Sequence, residues 1–294
     1  MTSRQPPLYG LCIAEFIGTY ILIFFGCGAV HAAVAFGAQQ GLWQVAIVWG
    51  IAIMLAIYTI GAISGAHINP AITVALAVWR GFPRDKVLPY IASQVLGAFL
   101  AAATLFFLFG TQLAELERVK GVTRGLAGSE ITAMCYGEYY PNPGSLGAGD
   151  KPYSVEEHER MRSRLPHHVA FFAELLGTLI LAVVVFAVTD QRNGMPPPPA
   201  MAPVFIGLTV ALLISVIAPL TQACFNPARD FGPRLFASLA GWGSVALPGR
   251  DGDGWSWLTV YIIAPMAGAV LGGALHEKVI RNCYPVDANT QAED

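Results

Sequence analysis

The sequence predicts an all-α membrane protein of six transmembrane helices and two re-entrant half-helices, arranged as an inverted repeat. Three observations carry that prediction. Of the 294 residues, 55% are hydrophobic and 12% charged, with a mean hydropathy of +0.55, whereas soluble domains carry about 25% charged residues. The apolar residues are gathered into long runs, and a helix needs about 20 of them to cross the ~30 Å hydrocarbon core of a bilayer. Short strings from the first half of the chain also return in the second, the mark of a tandem repeat.

Six runs are long enough to span, near residues 8–36, 42–62, 86–109, 169–190, 200–220 and 255–279. The first follows Arg4 but is too long for the apolar region of a signal peptide, and it recurs later, so it reads as a retained span. Two stretches, 67–79 and 225–239, are too short to span and are flanked by spans. Ala14-Glu15-Phe16-Ile17-Gly18-Thr19 returns as Ala173-Glu174-Leu175-Leu176-Gly177-Thr178, and Asn69-Pro70-Ala71 returns as Asn226-Pro227-Ala228. The spacing agrees, with Glu15 standing 54 positions before Asn69 and Glu174 standing 52 before Asn226. Each half holds three spans, an odd number, so the second half enters from the opposite face and a pseudo-two-fold axis lies in the membrane plane. The expected organisation is a first repeat over 1–110 with its half-helix near 67–79, then a long outer loop with an insertion over 111–168. A second repeat follows over 169–281, with its half-helix near 225–239, and a tail over 282–294.

Charge excludes some functions and orients the chain. Lys and Arg number 17 against 19 Asp and Glu, a formal net charge of -2, which offers no basic surface to nucleic acid. The composition also excludes an ordinary soluble enzyme. Cys12, Cys27, Cys135, Cys224 and Cys283 are scattered without a Cys-x-x-Cys pair, so neither a disulfide framework nor a zinc site is signalled. Arg4, Arg80, Arg84, Lys86, Arg192, Lys278 and Arg281 fall on one side, while the short loop at 37–41 carries no Lys or Arg. Positive-inside placement then puts both termini in the cytoplasm and the 110–168 segment outside. Within that segment Ser154 to Arg164 reads as a polar surface helix. Asp251-Gly252-Asp253-Gly254 resembles the start of a calcium loop, but its twelfth position is Ile262 instead of Glu, and it reads as a turn. His167 and His168 open the fourth span, where pH gating competes with simple interfacial placement.

The short segments carry the chemistry. Asn is a strong N-cap, Pro suits the first helical position and Ala continues a helix, so Asn-Pro-Ala is a helix start. Ten residues rise about 15 Å, half the bilayer. Two such half-helices entering from opposite faces meet N-terminus to N-terminus at the midplane, where irregular backbone is tolerated only beside protein or a water-filled cavity. A pore at the junction follows. If Asn69 and Asn226 cap with their side-chain oxygens, their amide hydrogens point into that pore. A water there must turn its own hydrogens toward the mouths, which breaks a proton-conducting chain, and the positive helix ends repel cations. Glu15 and Glu174 are open to two readings. Ionisable groups in spans suggest proton carriers, and hence a proton-coupled secondary transporter; their repeat-symmetric placement suits acceptors for the backbone leading into each half-helix.

The paired Asn-Pro-Ala boxes, each preceded by a Glu-bearing span, together with Asn226-Pro227-Ala228-Arg229-Asp230-Phe231-Gly232-Pro233-Arg234, Ser64-Gly65-Ala66-His67-Ile68 and Tyr140-Pro141, resemble the major intrinsic proteins. Within that aquaporin superfamily the likeness is to the aquaglyceroporin or glycerol-facilitator branch, and it covers nearly the whole chain. It implies an aquaporin-like homotetramer with one pore per protomer, in the plasma or inner membrane. The expected activity is passive passage of glycerol, water and other small neutral solutes such as urea, excluding protons and ions, with no enzymatic step, cofactor or metal. The resemblance also implies a selectivity filter of Trp49, Ile214, Ala223 and Arg229. It further implies carbonyls of Gly65 to Ile68 and Ala223 to Phe225 turned to the pore, Glu15 and Glu174 in the structural role, and His67 lining the cytoplasmic vestibule.

The sequence departs from the glycerol pattern in the filter and the sixth span. Ala223 stands where a facilitator usually has a bulky aromatic, Ile214 where it has Gly, and Tyr261 where Pro is usual. The Trp, Ile, Ala, Arg set is instead similar to that of plant nodulin-like members, while Asp230, Arg234 and Ile262 keep the glycerol-branch pattern. A water-selective pore is therefore the alternative within the family. The outer loop is also unusual, with about two dozen residues inserted between Pro143 and His167.

Overall fold

In hydrocarbon a backbone can satisfy its polar groups only internally, so charge-free runs of Leu, Ile, Val and Ala become helices. The computed structural model describes residues 6–39, 41–144, 154–248 and 255–285. The calcium-like tetrapeptide at 251–254 and the tail beyond 285 lie outside the described residues. The first half holds α1 (Leu8–Phe36), α2 (Leu42–Ser64), the short α3 (Pro70–Trp79) and α4 (Arg84–Lys120). The polar α5 (Val155–Arg164) follows in the long connection, with Ser154 accepting from the Glu157 N–H as its N-cap. The second half holds α6 (His167–Val188), α7 (Ala202–Thr221), the short α8 (Pro227–Ala237) and a composite α9 (Ser256–Cys283). Six of these helices are long and apolar enough to cross a membrane.

Two boundaries differ from the sequence expectation. The third span does not stop near 109 but runs to Lys120, because the segment beyond it continues helically with Leu113 and Glu117 buried. Glu117 takes hydrogen bonds from Arg124 and Thr132 of the following connection, which holds the extra turns in place. The last span carries wide i to i+5 turns at Thr259–Ile263 and His276–Ile280 and reaches Cys283.

Packing repeats what the sequence repeats. α1 packs on α2 and α4, α6 packs on α7 and α9, and α2 meets α7 across the pseudo-two-fold axis. Each half-helix rests on the last span of the other repeat, α3 on α9 and α8 on α4. The α2–α7 crossing is made by reciprocal glycines: a Cβ on Gly50 would sit 2.7 Å from the Gly207 carbonyl oxygen, and one on Gly207 2.3 Å from that of Gly50. Small residues of this kind let helix backbones touch in the absence of a hydrophobic drive between them.

The burial pattern is inverted relative to a soluble domain. Phe107 and Val216 are 87% and 74% exposed in the middle of long helices, while Glu15, Gln94, Glu174, Asp230 and Arg234 are fully buried. Apolar side chains outside and charges inside require a bilayer as the surrounding solvent. At one end, Arg80 pairs with Glu277 and Asp190 and Arg281 pairs with the same two carboxylates, tying α3, α6 and α9 together. His276 lies beside this cluster, but the two guanidiniums already match the carboxylate charge that a cation would need.

Candidate pore and its constriction

Both half-helices start as capped ends. Asn69 sits in extended backbone and its Oδ1 accepts from the Ala71 N–H at 2.9 Å; Asn226 Oδ1 accepts from Ala228 at 3.1 Å and Arg229 at 3.3 Å. The amides reach across the junction: Asn69 Nδ2 donates to the Phe225 carbonyl at 2.9 Å and Asn226 Nδ2 to the Ile68 carbonyl at 2.8 Å. This alters the expectation that the whole amide faces the pore. One hydrogen of each amide is used between the repeats, and one remains for a solute. The carbonyls of Ile68 and Phe225 each accept one of these bonds and keep a second lone pair.

The approach to each cap is strained. Ala66 (φ 51), Ile68 (φ 43), Gln222 (φ 63), Ala223 (φ 64) and Phe225 (φ 54) lie in the left-handed region without being glycine, at a cost of about 1–3 kcal/mol each. Buried carboxylates hold them there. Glu15 accepts from Ser64 Oγ at 2.6 Å, the His67 and Ile68 N–H groups at 2.9 and 2.7 Å, and Gln94 Nε2 at 2.8 Å. Glu174 accepts from Thr221 Oγ1 at 2.6 Å and the Cys224 and Phe225 N–H groups at 3.0 and 2.9 Å. Ser64 and Thr221 are equivalent in the two repeats, as are the two glutamates. Neither carboxylate lines the cavities described next.

Three cavities lie in series, each sharing lining residues with the next. A vestibule of about 520 Å³ on the side of the 121–166 connection is lined by Val34, Val45, Trp49, Glu138, Ile214 and Arg229, among others. A narrow space of about 40 Å³ shares Trp49, Ile214 and Arg229 with it and adds Ala223, Phe225, Asn69 and Asn226. A second vestibule of about 420 Å³ shares the two Asn residues and is lined by Gly65, His67 and Ile68. The structure therefore brings Trp49, Ile214, Ala223 and Arg229 around the narrowest volume. Leu22, Ile53, Leu181 and Val210 form an apolar wall there.

Arg229 is held from two sides: its Cζ lies 4.2 Å above the Trp49 ring, and its guanidinium forms an ion pair with Glu138. Burial lifts the Glu138 carboxyl above its ordinary range, and the adjacent Arg229 charge opposes that lift by favouring the ionised form. Asp230 does not line these cavities. It pairs with Arg234 at 2.6 Å and accepts from the Glu138 N–H at 2.8 Å, pinning the long connection onto α8. His67 bonds to Thr73 at 3.2 Å and packs edge-on to Phe82. His167 bridges the Tyr140 hydroxyl at 2.7 Å and Thr259 at 3.1 Å, a tie between the long connection and α9 away from the constriction.

Two residues escaped the sequence reading. Glu138, on the long connection, lines the first vestibule and pairs with Arg229, and Gln222 receives the Tyr139 N–H at 2.9 Å while donating to the Met134 carbonyl. No motif marks either one. The only sequence signal for Glu138 is an acidic residue two places before Tyr140-Pro141 in a chain with few charges.

Comparison with known proteins agrees with this architecture. The family model described as Major intrinsic protein matches residues 2–276. The glycerol uptake facilitator protein of Pseudomonas aeruginosa is 40% identical over 283 residues, 96% of this chain and 93% of that one. The propanediol uptake facilitator PduF of Citrobacter freundii is 40% identical over 274 residues, 93% of each chain. The X-ray structure of the aquaglyceroporin from Plasmodium falciparum superposes with a TM-score of 0.75 at 23% identity, covering 93% of this chain and 97% of that one.

Proposed function

Because the chain belongs to the major intrinsic protein family, we propose that it is a multi-pass membrane channel for glycerol that also passes water and excludes protons and ions. The carrying observation is the series of three cavities, each sharing lining residues with the next, that runs past Arg229, Asn69 and Asn226. Its two walls differ. Leu22, Ile53, Leu181, Val210 and Ile214 face the carbon backbone of a polyol, while Arg229, the spare amide hydrogens of the two Asn residues and the backbone carbonyls serve its hydroxyls. A solute thus exchanges water hydrogen bonds for fixed ones without an energy source.

Ion exclusion follows from the same geometry. The α3 and α8 N-termini, each equivalent to roughly half a positive charge, face one another and oppose cations. A water at the junction accepts from the Asn amides and so cannot relay a proton through that point. The small volume at Ala223 and Ile214 favours a second reading, a pore selective for water. We further assign both termini to the cytoplasm from the Lys and Arg distribution, the channel to the plasma or inner membrane, and the assembly to a homotetramer.

Stopped-flow light scattering of proteoliposomes under parallel water, glycerol and urea gradients tests the proposal. Glycerol flux well above protein-free vesicles, unsaturated and indifferent to an uncoupler, is the expected result. Water flux without glycerol flux selects the second reading, and flux abolished by the uncoupler selects a coupled transporter.

A further inference from the structure

The wall that α1 gives to the cavities skips one turn. Leu22 lines the narrow space, and Val30 and Val34 line the first vestibule. Residues four apart share a helix face, so the turn between Leu22 and Val30 belongs to Gly26. Gly26 is buried and lines neither cavity. The Trp49 ring covers it: a Cβ on Gly26 would have Trp49 Cε3, Cζ3 and Cδ2 as its three nearest atoms, all within 2.5 Å. Trp49 itself lines both the first vestibule and the narrow space, with the Arg229 guanidinium carbon 4.2 Å above its ring.

The second repeat carries a different pair at the same place. In the register that sets Gly18 against Gly177 and Ser64 against Thr221, Leu22 matches Leu181 and Ile53 matches Val210. These four form the apolar wall of the narrow space. One turn farther from the junction, Gly26 and Trp49 match Val185 and Ile206, and both of the latter line the second vestibule, of about 420 Å³. A glycine–tryptophan pair thus stands beside the tight part of the path where its mate, a valine–isoleucine pair, stands beside a wide one.

We propose that Gly26 is a positioning residue for solute selection: having no side chain, it lets the Trp49 ring lie back on α1, and this sets the bore beside Arg229. Protein interiors are close-packed, so the open volume next to the ring is the pore itself. A methyl group at position 26 drives the ring about 1 Å toward that volume, to regain an ordinary carbon–carbon separation of about 3.5 Å. The space it enters holds only about 40 Å³. Ala is a better helix former than Gly, so backbone preference does not oppose the change. The proposal rests on the channel reading, with Trp49 in the filter, and adds a residue that does not itself meet the solute.

The test is the ratio of glycerol to water flux in proteoliposomes, normalised to folded protein, with the longer polyol xylitol followed in parallel. Gly26→Ala lowers glycerol flux about tenfold and water flux far less, because an overfilled bore excludes the larger solute first. Adding Trp49→Leu to that variant removes the ring and restores glycerol flux. Gly26→Val with Trp49→Ile copies the pair of the second repeat, and it passes glycerol and admits xylitol faster than wild type.

A merely structural role for Gly26 would lower water and glycerol flux in equal proportion, with no rescue by Trp49→Leu, and either result overturns the proposal. So does unchanged flux in Gly26→Ala, or a swapped pair as selective as wild type. If Gly26→Ala is not recovered as folded protein, the Trp49→Leu background decides: recovery there supports the clash with the ring, and failure there overturns it. Should wild type pass water alone, the loss in Gly26→Ala and its rescue by Trp49→Leu are read on water flux. Trp49→Leu with an unchanged solute profile would remove Trp49 from the filter and the proposal with it. Wild-type vesicles that pass neither glycerol nor water would instead defeat the channel reading.

Discussion

The Asn69 amide donates to the carbonyl of Phe225, the residue immediately before Asn226, across 156 positions of sequence. Its symmetry mate runs from Asn226 to Ile68, the residue before Asn69. The two helix starts are therefore cross-braced, and each Asn both caps and braces, while its second amide hydrogen is the one proposed to meet the solute. Removing one should disturb all three.

Asn226→Ala deletes a cap worth about 1 kcal/mol and leaves the buried Ile68 carbonyl without its donor, at about 1–3 kcal/mol. The expected outcome is a lower melting temperature in detergent and reduced solute flux. An Asn226→Ala variant as stable and permeable as wild type would mean that the brace contributes nothing.

Glu174→Gln replaces a carboxylate that accepts three bonds by an amide with one acceptor oxygen. At least one backbone N–H, at Cys224 or Phe225, then faces an NH₂ group, costing about 1–3 kcal/mol. Stability and flux should fall together, while the residual flux stays insensitive to an uncoupler. Intact stability with loss of a proton-dependent component would identify Glu174 as a proton carrier.

Ala223→Phe should lower glycerol flux at least tenfold, because the constriction holds only about 40 Å³ and already contains Ile214. Adding Ile214→Gly to that variant should restore flux by returning volume from the adjacent helix. Paired stopped-flow traces decide the matter. Unchanged glycerol flux in Ala223→Phe would remove these two residues from the filter.

Asp230→Ala breaks a fully buried pair with Arg234 and strands a guanidinium that also holds the Glu138 and Ala246 carbonyls. Loss of one partner from such a pair costs about 3–5 kcal/mol. Thermal melting should drop sharply, and limited proteolysis should reach the 121–144 segment first. Replacing both partners with apolar residues should recover part of the loss.

What could be read in the chain was local or periodic. Asn-Pro-Ala announces a helix start because capping acts within three residues, and its recurrence at similar distance from a repeated Ala-Glu pair within the same chain announces two equivalent halves. Run lengths set the number of spans because bilayer thickness sets the length of a helix. The extension of α4 to Lys120 was not readable, since polarity rises after residue 109 and only burial of Leu113 and Glu117 against the connection favours helix there.

The sequence by itself determined an inverted repeat of three spans and a half-helix, because hydropathy and capping are properties of neighbouring residues. Tertiary structure alone decided which atoms meet at the junction. The cross-bracing of Asn69 and Asn226 needs the repeats folded against one another, and the Glu138–Arg229 pair needs the long connection clamped by Asp230 and Arg234. An electrostatic partner is chosen by distance in space, and no pattern along the chain encodes a contact between residues 91 positions apart.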